Sequence, residues 1–156
     1  MRHFALMGLS VWLVGCASSP YDACSLSWVG DEPLAGELVL DHGVTLVGGT
    51  YTRSTRSSRL NAGTFTVDIR SDRADEPSLA EALDSGAPVC RTLDGQNDQV
   101  IYQGEGGPWI SSDANPGTLA IAGEDGGELI GIVDVVAERN GETKRLYGAF
   151  RLTLQP

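Results

Sequence analysis

The chain has 156 residues, of which 21 are acidic and 11 are Lys or Arg, for a formal net charge of −10. So acidic a chain offers no general basic surface to a phosphate backbone or an anionic headgroup, which excludes nucleic acid as a partner of the domain as a whole. Twenty glycines beside only three Phe, three Trp and four Tyr describe a turn-rich chain with few large rings.

From the N-terminus, Arg2 is the first charge and the 12 residues 4–15 carry none. A helix that spans a bilayer takes about 20 residues, so this run is too short to cross. It has the form of a secretory signal, a positive n-region followed by an apolar h-region. The run ends in Leu13-Val14-Gly15-Cys16, which resembles a bacterial lipobox, and residues 1–19 together resemble the export signal of bacterial lipoproteins. That resemblance implies cleavage before Cys16, a diacylglyceryl group on its sulfur, and Cys16 as the acylated N-terminus. The chain then divides into a signal peptide (1–15), a lipidated Cys with its tether (16–23) and a single domain (24–156). One departure from the family pattern is an n-region with a single unambiguous positive charge, His3 standing beside it.

Ala17-Ser18-Ser19-Pro20 is small, polar and flexible, as a tether should be. In Gram-negative lipoproteins an Asp after the acylated Cys tends to mark retention at the inner membrane. Here Ala17 holds that place, so the resemblance implies the outer membrane, facing the periplasm or the surface, if the source is Gram-negative. The membrane is then a partner through the N-terminal lipid.

The remaining 141 residues, 16–156, lose Arg2 and so carry a net charge of −11. That length suits one domain with a sizeable core. With Cys16 committed to lipid, Cys24 and Cys90 are left in a compartment that permits disulfides. We pair them, the alternatives being two free thiols or an intermolecular bridge. Such a bridge disfavours the unfolded chain by about 4 kcal/mol on the loop-entropy account.

Short apolar-alternating runs separated by turn residues predict an all-β fold of about eight antiparallel strands. The candidates are residues 25–29, 37–40, 44–52, 64–70, 99–103, 118–123, 129–137 and 146–154. The last run alternates most cleanly, with Leu146, Gly148, Phe150, Leu152 and Leu154 on one face. Residues 129–137 are apolar on both faces except at Asp134. Asn140-Gly141 and Asp125-Gly126-Gly127 supply hairpin turns, so residues 117–155 read as a three-stranded meander. Ser78-Leu79-Ala80-Glu81 fits a capping box and starts a short helix over 79–85. The strands form an up-and-down barrel or a β-sandwich. Consecutive C-terminal strands with short loops favour the barrel, similar in architecture to lipocalin-like bacterial lipoproteins over about residues 36–155. That likeness transfers no binding residue.

Few residues point to chemistry. His42 is the one His beyond the signal, it lies in the turn expected between two strands, and no nucleophile elbow occurs in the mature chain. We therefore assign no catalytic residue, no metal site and no cofactor. Asp134 is the acid inside the most apolar strand, and it needs solvent or an Arg on an adjacent strand. Asp94-Gly95-Gln96-Asn97-Asp98 gathers oxygen ligands without the spacing of a calcium loop. Arg53, Arg56 and Arg59 concentrate positive charge in an acidic chain, and guanidinium groups suit phosphate and carboxylate. They fall between strands as a hairpin tip with two readings: a surface for an anion of the envelope, and the commoner case of a solvated loop whose charge offsets nearby Asp. The function expected is that of a lipid-anchored envelope protein whose noncatalytic β domain engages a protein or an envelope polymer. A lipocalin-like carrier of a small apolar ligand is the alternative, and an enzyme is disfavoured.

Overall fold

The computed structural model describes residue 19 and residues 21–41, 43–70 and 77–156. The signal peptide 1–15, the lipidation site Cys16 and His42 lie outside the described residues.

The described residues are mostly strand, with one short helix. In chain order they form β1 (Glu37–Leu40), β2 (Val44–Val47), β3 (Thr50–Tyr51), β4 (Ser57–Ala62), β5 (Phe65–Arg70), α1 (Leu79–Asp84), β6 (Val89–Leu93), β7 (Gln99–Gly104), β8 (Gly107–Ser111), β9 (Gly117–Asp125), β10 (Glu128–Arg139) and β11 (Glu142–Leu154). These eleven strands exceed the eight expected for physical reasons. Gly48-Gly49 divides the run 44–52 into β2 and β3. Three strands escape the pattern, because β4 presents only Ser58, Leu60 and Ala62 inward and β6 and β8 carry Arg91 and Ser111 on their buried faces. Residues 26–29, taken as part of a strand, are irregular and follow a short 3-10 turn at Asp22–Cys24, after which Ser25 takes a φ of 56°.

The strands join one sheet in the order β2-β1-β11-β3-β4-β5-β7-β8-β10-β9-β6, and β11 also pairs with β10. All neighbours are antiparallel except β3 and β11. The pairing therefore runs from β11 through β3, β4, β5, β7, β8 and β10 back to β11. Its three shortest junctions, β3–β11, β3–β4 and β8–β10, are two residues long.

The C-terminal meander forms as its turns dictate. Asn140 and Gly141 take φ of 51° and 83°, and Gly126 and Gly127 take 58° and 83°, the pairs of positive φ that a tight hairpin turn demands. Along β11, Leu146, Gly148, Phe150 and Leu152 are buried, whereas Leu154 ends the strand in solvent. Leu129, Val133, Val135 and Ala137 of β10 face the same core, which also takes in Tyr51, Phe65, Ile69, Leu119 and Ile121. Gly131 lies between Leu129 and Val133, where a Cβ would stand 2.5 Å from the Ala120 carbonyl oxygen and overlap the Phe150 ring. Close packing of Phe150 against β10 thus requires glycine there. Helix α1 starts as expected: Ser78 Oγ accepts from the Glu81 amide at 3.2 Å, and the Ser78 amide donates to Glu81 Oε2 at 2.9 Å.

One ion pair is buried on both sides. The alternation of β6 turns Arg91 inward between Val89 and Leu93, and Arg91 and Asp98 side chains are 3 % and 0 % exposed. Arg91 Nε donates to Asp98 Oδ2 at 3.0 Å, Nη1 to the Pro77 carbonyl at 2.9 Å and Nη2 to the Arg70 carbonyl at 2.7 Å. The other Asp98 oxygen accepts from the Arg70 amide at 2.8 Å. One side chain thereby ties β6 to the end of β5, the approach to α1 and the residue before β7. Removing one partner of such a pair leaves an uncompensated buried charge and costs about 3–5 kcal/mol. Arg91→Met should lower stability by that amount. Adding Asp98→Asn to it should restore part of the loss, since the amide oxygen still accepts from Arg70. Urea midpoints measure both, and equal midpoints for Arg91→Met and the parent would contradict the role assigned to the pair.

Candidate functional site

The two-sided apolarity of β10 locates the site. Its inward residues enter the core, but Ile132 on the opposite face is also fully buried, so something covers the outside of the sheet. The cover is the segment that follows the expected tether. Cys24 is bonded to Cys90 of β6, with Cα atoms 5.4 Å apart, as the cysteine count predicts. Cys90, Ala120, Ile132 and Ala149 stand in register across β6, β9, β10 and β11. Beyond this row, the Trp28 ring lies 5.2 Å from that of Tyr147 on β11, and the Tyr147 hydroxyl donates to the Ser27 carbonyl. Three strand spacings, about 14 Å, separate β6 from β11. The side chains at both ends, the disulfide at Cys24 and the indole at Trp28, help the intervening residues bridge it.

Small residues on the sheet leave space beneath this strap. Ala120 and Ala149 stand on either side of Ile132 in the row, and the register shift between β9 and β10 at Ile130/Gly131 leaves Ala122 as an extra residue on β9. Between strap and sheet lies a groove of about 610 Å³, with Ala122, Ile130, Ile132 and Ala149 on its floor and Tyr21, Trp28 and Pro33 above. Ser19, within the expected tether, also lines it. Its polar groups include Tyr21, Glu32 and Arg151. Burial above all, then the Glu32 charge, raises the Tyr21 phenol, while Arg151 opposes the rise. Arg151 Nη1 is itself held by Glu128 at 3.0 Å.

Beside the groove, Asp134 meets the partner its position required: Arg145 of β11 grips it at 2.9 and 2.8 Å, and the Arg145 guanidinium lies 5.0 Å from the Tyr147 ring centre. The Tyr147 phenol is raised, first by burial and next by the charge of Asp134.

Arg53 and Arg56 lie in the connection of the antiparallel β3–β4 hairpin, but the three arginines do not form one free basic tip. Arg59 lies within β4, directly opposite Asp68 of β5, and bonds it at 2.5 and 3.2 Å. Arg53 follows β3 and bonds Glu124 of β9 at 3.2 Å, the Ala80 carbonyl of α1 at 3.3 Å and the Asp84 carboxylate. Arg56 is exposed between them, its backbone amide on Ser54 Oγ. Two of the three guanidinium groups are thus engaged within the domain. The Asp94–Asp98 loop is likewise used internally, since Asp94 accepts from the Gln96 and Asn97 amides and Asp98 holds Arg91. Among the described residues no group of three or more His, Cys, Asp or Glu is placed to hold a metal ion. No helix among them is long and apolar enough to cross a membrane.

Sequence reasoning missed the strap, the groove and the Arg91–Asp98 pair. The signals were present: apolar residues on both faces of residues 129–137 demand a second cover, and alternation along Val89, Arg91 and Leu93 turns a charge inward. In comparisons with protein families, curated proteins and solved structures the chain matches none.

Two outcomes follow. Reduction of Cys24–Cys90 should free the strap, lower the melting temperature and raise quenching of Trp28 by acrylamide. Trp28→Phe should abolish the quenching change, and two alkylated thiols in the folded, unreduced chain would refute the bridge. The second outcome concerns Tyr51, whose hydroxyl is buried with no hydrogen bond of regular geometry to any described group. Burial and then the Glu124 charge push its pKa up to about 12 from 10.0. The folded chain keeps a proton that the unfolded chain releases from about pH 10 upward, so the stability from this group is whole below pH 10 and is lost as pH rises towards 12. Tyr51→Phe should retain stability at pH 7 and lessen the alkaline loss. Identical urea midpoints for the parent and Tyr51→Phe across pH 9–12 would contradict this.

Proposed function

We propose that this chain is a lipid-anchored protein of the bacterial envelope, acylated at Cys16, whose noncatalytic β domain engages a protein or polymer of that envelope. The observation that carries the reading is the strap. The segment immediately after the tether is stapled by Cys24–Cys90 and by the Trp28–Tyr147 contact to the outer face of the domain. An anchor upstream of Ser19 would therefore hold the domain in a set orientation rather than on a long free leash. The buried ionisable groups serve structure: Arg91 and Asp98 satisfy each other and the backbone around them.

A second reading, a carrier of a small apolar ligand, draws on the groove. The inside of the domain is filled by side chains such as Tyr51, Phe65 and Phe150, each at most 1 % exposed, so a carried ligand would sit outside the core and beneath the strap.

Metabolic labelling with a clickable fatty acid tests the anchor, because only the thiol of Cys16 accepts the acyl group. The wild-type chain should be labelled and Cys16→Ser should not; equal labelling would overturn the lipoprotein reading. Isolated envelope should also retain the unlipidated Cys16→Ser chain through its domain. Retention no greater than that of an unrelated acidic protein would overturn the binding role.

A further inference from the structure

We propose that the groove beneath the strap is a binding site for the acyl chain of an uncharged amphiphile, with the polar head at Tyr21, Glu32 and Arg151. The inference rests on the second reading, a carrier of a small apolar ligand, and names the class of ligand carried.

Size comes first. A volume of about 610 Å³ lies well within the range of about 300–1,000 Å³ typical of small-molecule sites. Shape is set by the floor, where the small Ala122 of β9 and Ala149 of β11 flank the larger Ile130 and Ile132 of β10 and leave room beneath the Trp28 indole. Such a channel accepts a chain of methylene groups against its apolar floor, Ser19 and Ser27 being the polar residues that line it besides the three assigned to the head. Water held there would forgo hydrogen bonds, so displacing it is favourable.

Charge then selects the head. Glu32 and Arg151 carry opposite signs, and Glu128 already holds Arg151 at 3.0 Å. No unpaired cation is therefore offered to a carboxylate or phosphate, and a domain with a net charge of −11 repels anionic amphiphiles. The Tyr21 hydroxyl, whose pKa lies above its ordinary value, stays protonated and can donate to an ester or hydroxyl head. The ligand chemistry is thus a neutral acyl ester. It has two sources, a free lipid or the diacylglyceryl group expected on Cys16, three residues from Ser19 in the groove wall.

Photo-crosslinking with a monoacylglycerol bearing a diazirine in its acyl chain tests the site. Both the lipidated chain and Cys16→Ser are irradiated and mapped by peptide mass spectrometry. Saturable labelling is expected on the peptides carrying Trp28 and Ile130–Ile132, competed by unlabelled monoacylglycerol and at least tenfold less by palmitate. Ala122→Trp, which fills the channel from the β9 bulge, should reduce that labelling at least tenfold, whereas Val44→Trp on exposed β2 should leave it unchanged. Labelling of both chains identifies free lipid as the ligand; labelling of Cys16→Ser alone shows that the chain's own acyl group occupies the groove. Diffuse, unsaturable labelling, or equal labelling of Ala122→Trp, would overturn the proposal. Neither result depends on acylation at Cys16, which the fatty-acid labelling decides separately.

Discussion

The buried contact between Arg91 and Asp98 is the constraint on which the arrangement of strands depends. β6 and the β5–β7 pair stand far apart in the order of the sheet, and β6 is hydrogen-bonded along one edge only, to β9. A strand in that position leaves backbone groups open and has no ladder to bring it towards β5. The guanidinium of Arg91 supplies the missing connection by donating to a carboxylate and two carbonyls, and Asp98 completes it by accepting from the Arg70 amide. Taking two charges out of water is costly, and only complete satisfaction of their hydrogen bonds offsets it. The same geometry that makes the pair tolerable therefore also specifies where β5, β6, β7 and α1 meet.

A second constraint acts on the outside of the sheet. β10 presents apolar residues to both sides, and the core can take only one of them. The other side is covered by a segment with no strand partner, which must be held by other means: a disulfide at one end, and an aromatic contact with a hydroxyl bond at the other. Irregular cover over a flat row of small residues does not pack to the density of a core, and space is left over. The groove is the consequence of that mismatch, and its place beside the expected tether is what gives it functional interest.

Much of this was legible in the chain. Alternation along residues 146–154, the Asn-Gly and Gly-Gly turns and the Ser78–Glu81 capping box rest on local geometry, which a few neighbouring residues decide. Each appears where the pattern placed it, apart from Leu154, which ends β11 in solvent. The Cys24–Cys90 bridge followed from counting, once Cys16 was set apart. Less visible were β4, β6 and β8, because their inward residues include Ser58, Arg91 and Ser111, which hydropathy assigns to the surface. The arginines at 53, 56 and 59 look alike in sequence, yet one is locked across a strand pair, one bridges α1 and β9, and one is exposed. What separates them is the position of distant carboxylates.

By itself, then, the sequence determined the class of fold, the C-terminal meander, the helix start, the pairing of two cysteines and the expectation of an acylated N-terminus. These depend on backbone propensity, turn stereochemistry and short motifs, all read within a few residues. Tertiary structure alone decided the strand order, the burial of Arg91 against Asp98 and the path of the strap over β9, β10 and β11. Those contacts join residues 7 to 120 positions apart, as with Arg91 and Asp98 or Ser27 and Tyr147. Desolvation and packing at such contacts are properties of the assembled surfaces, and no local stretch of the chain contains both of the surfaces that meet.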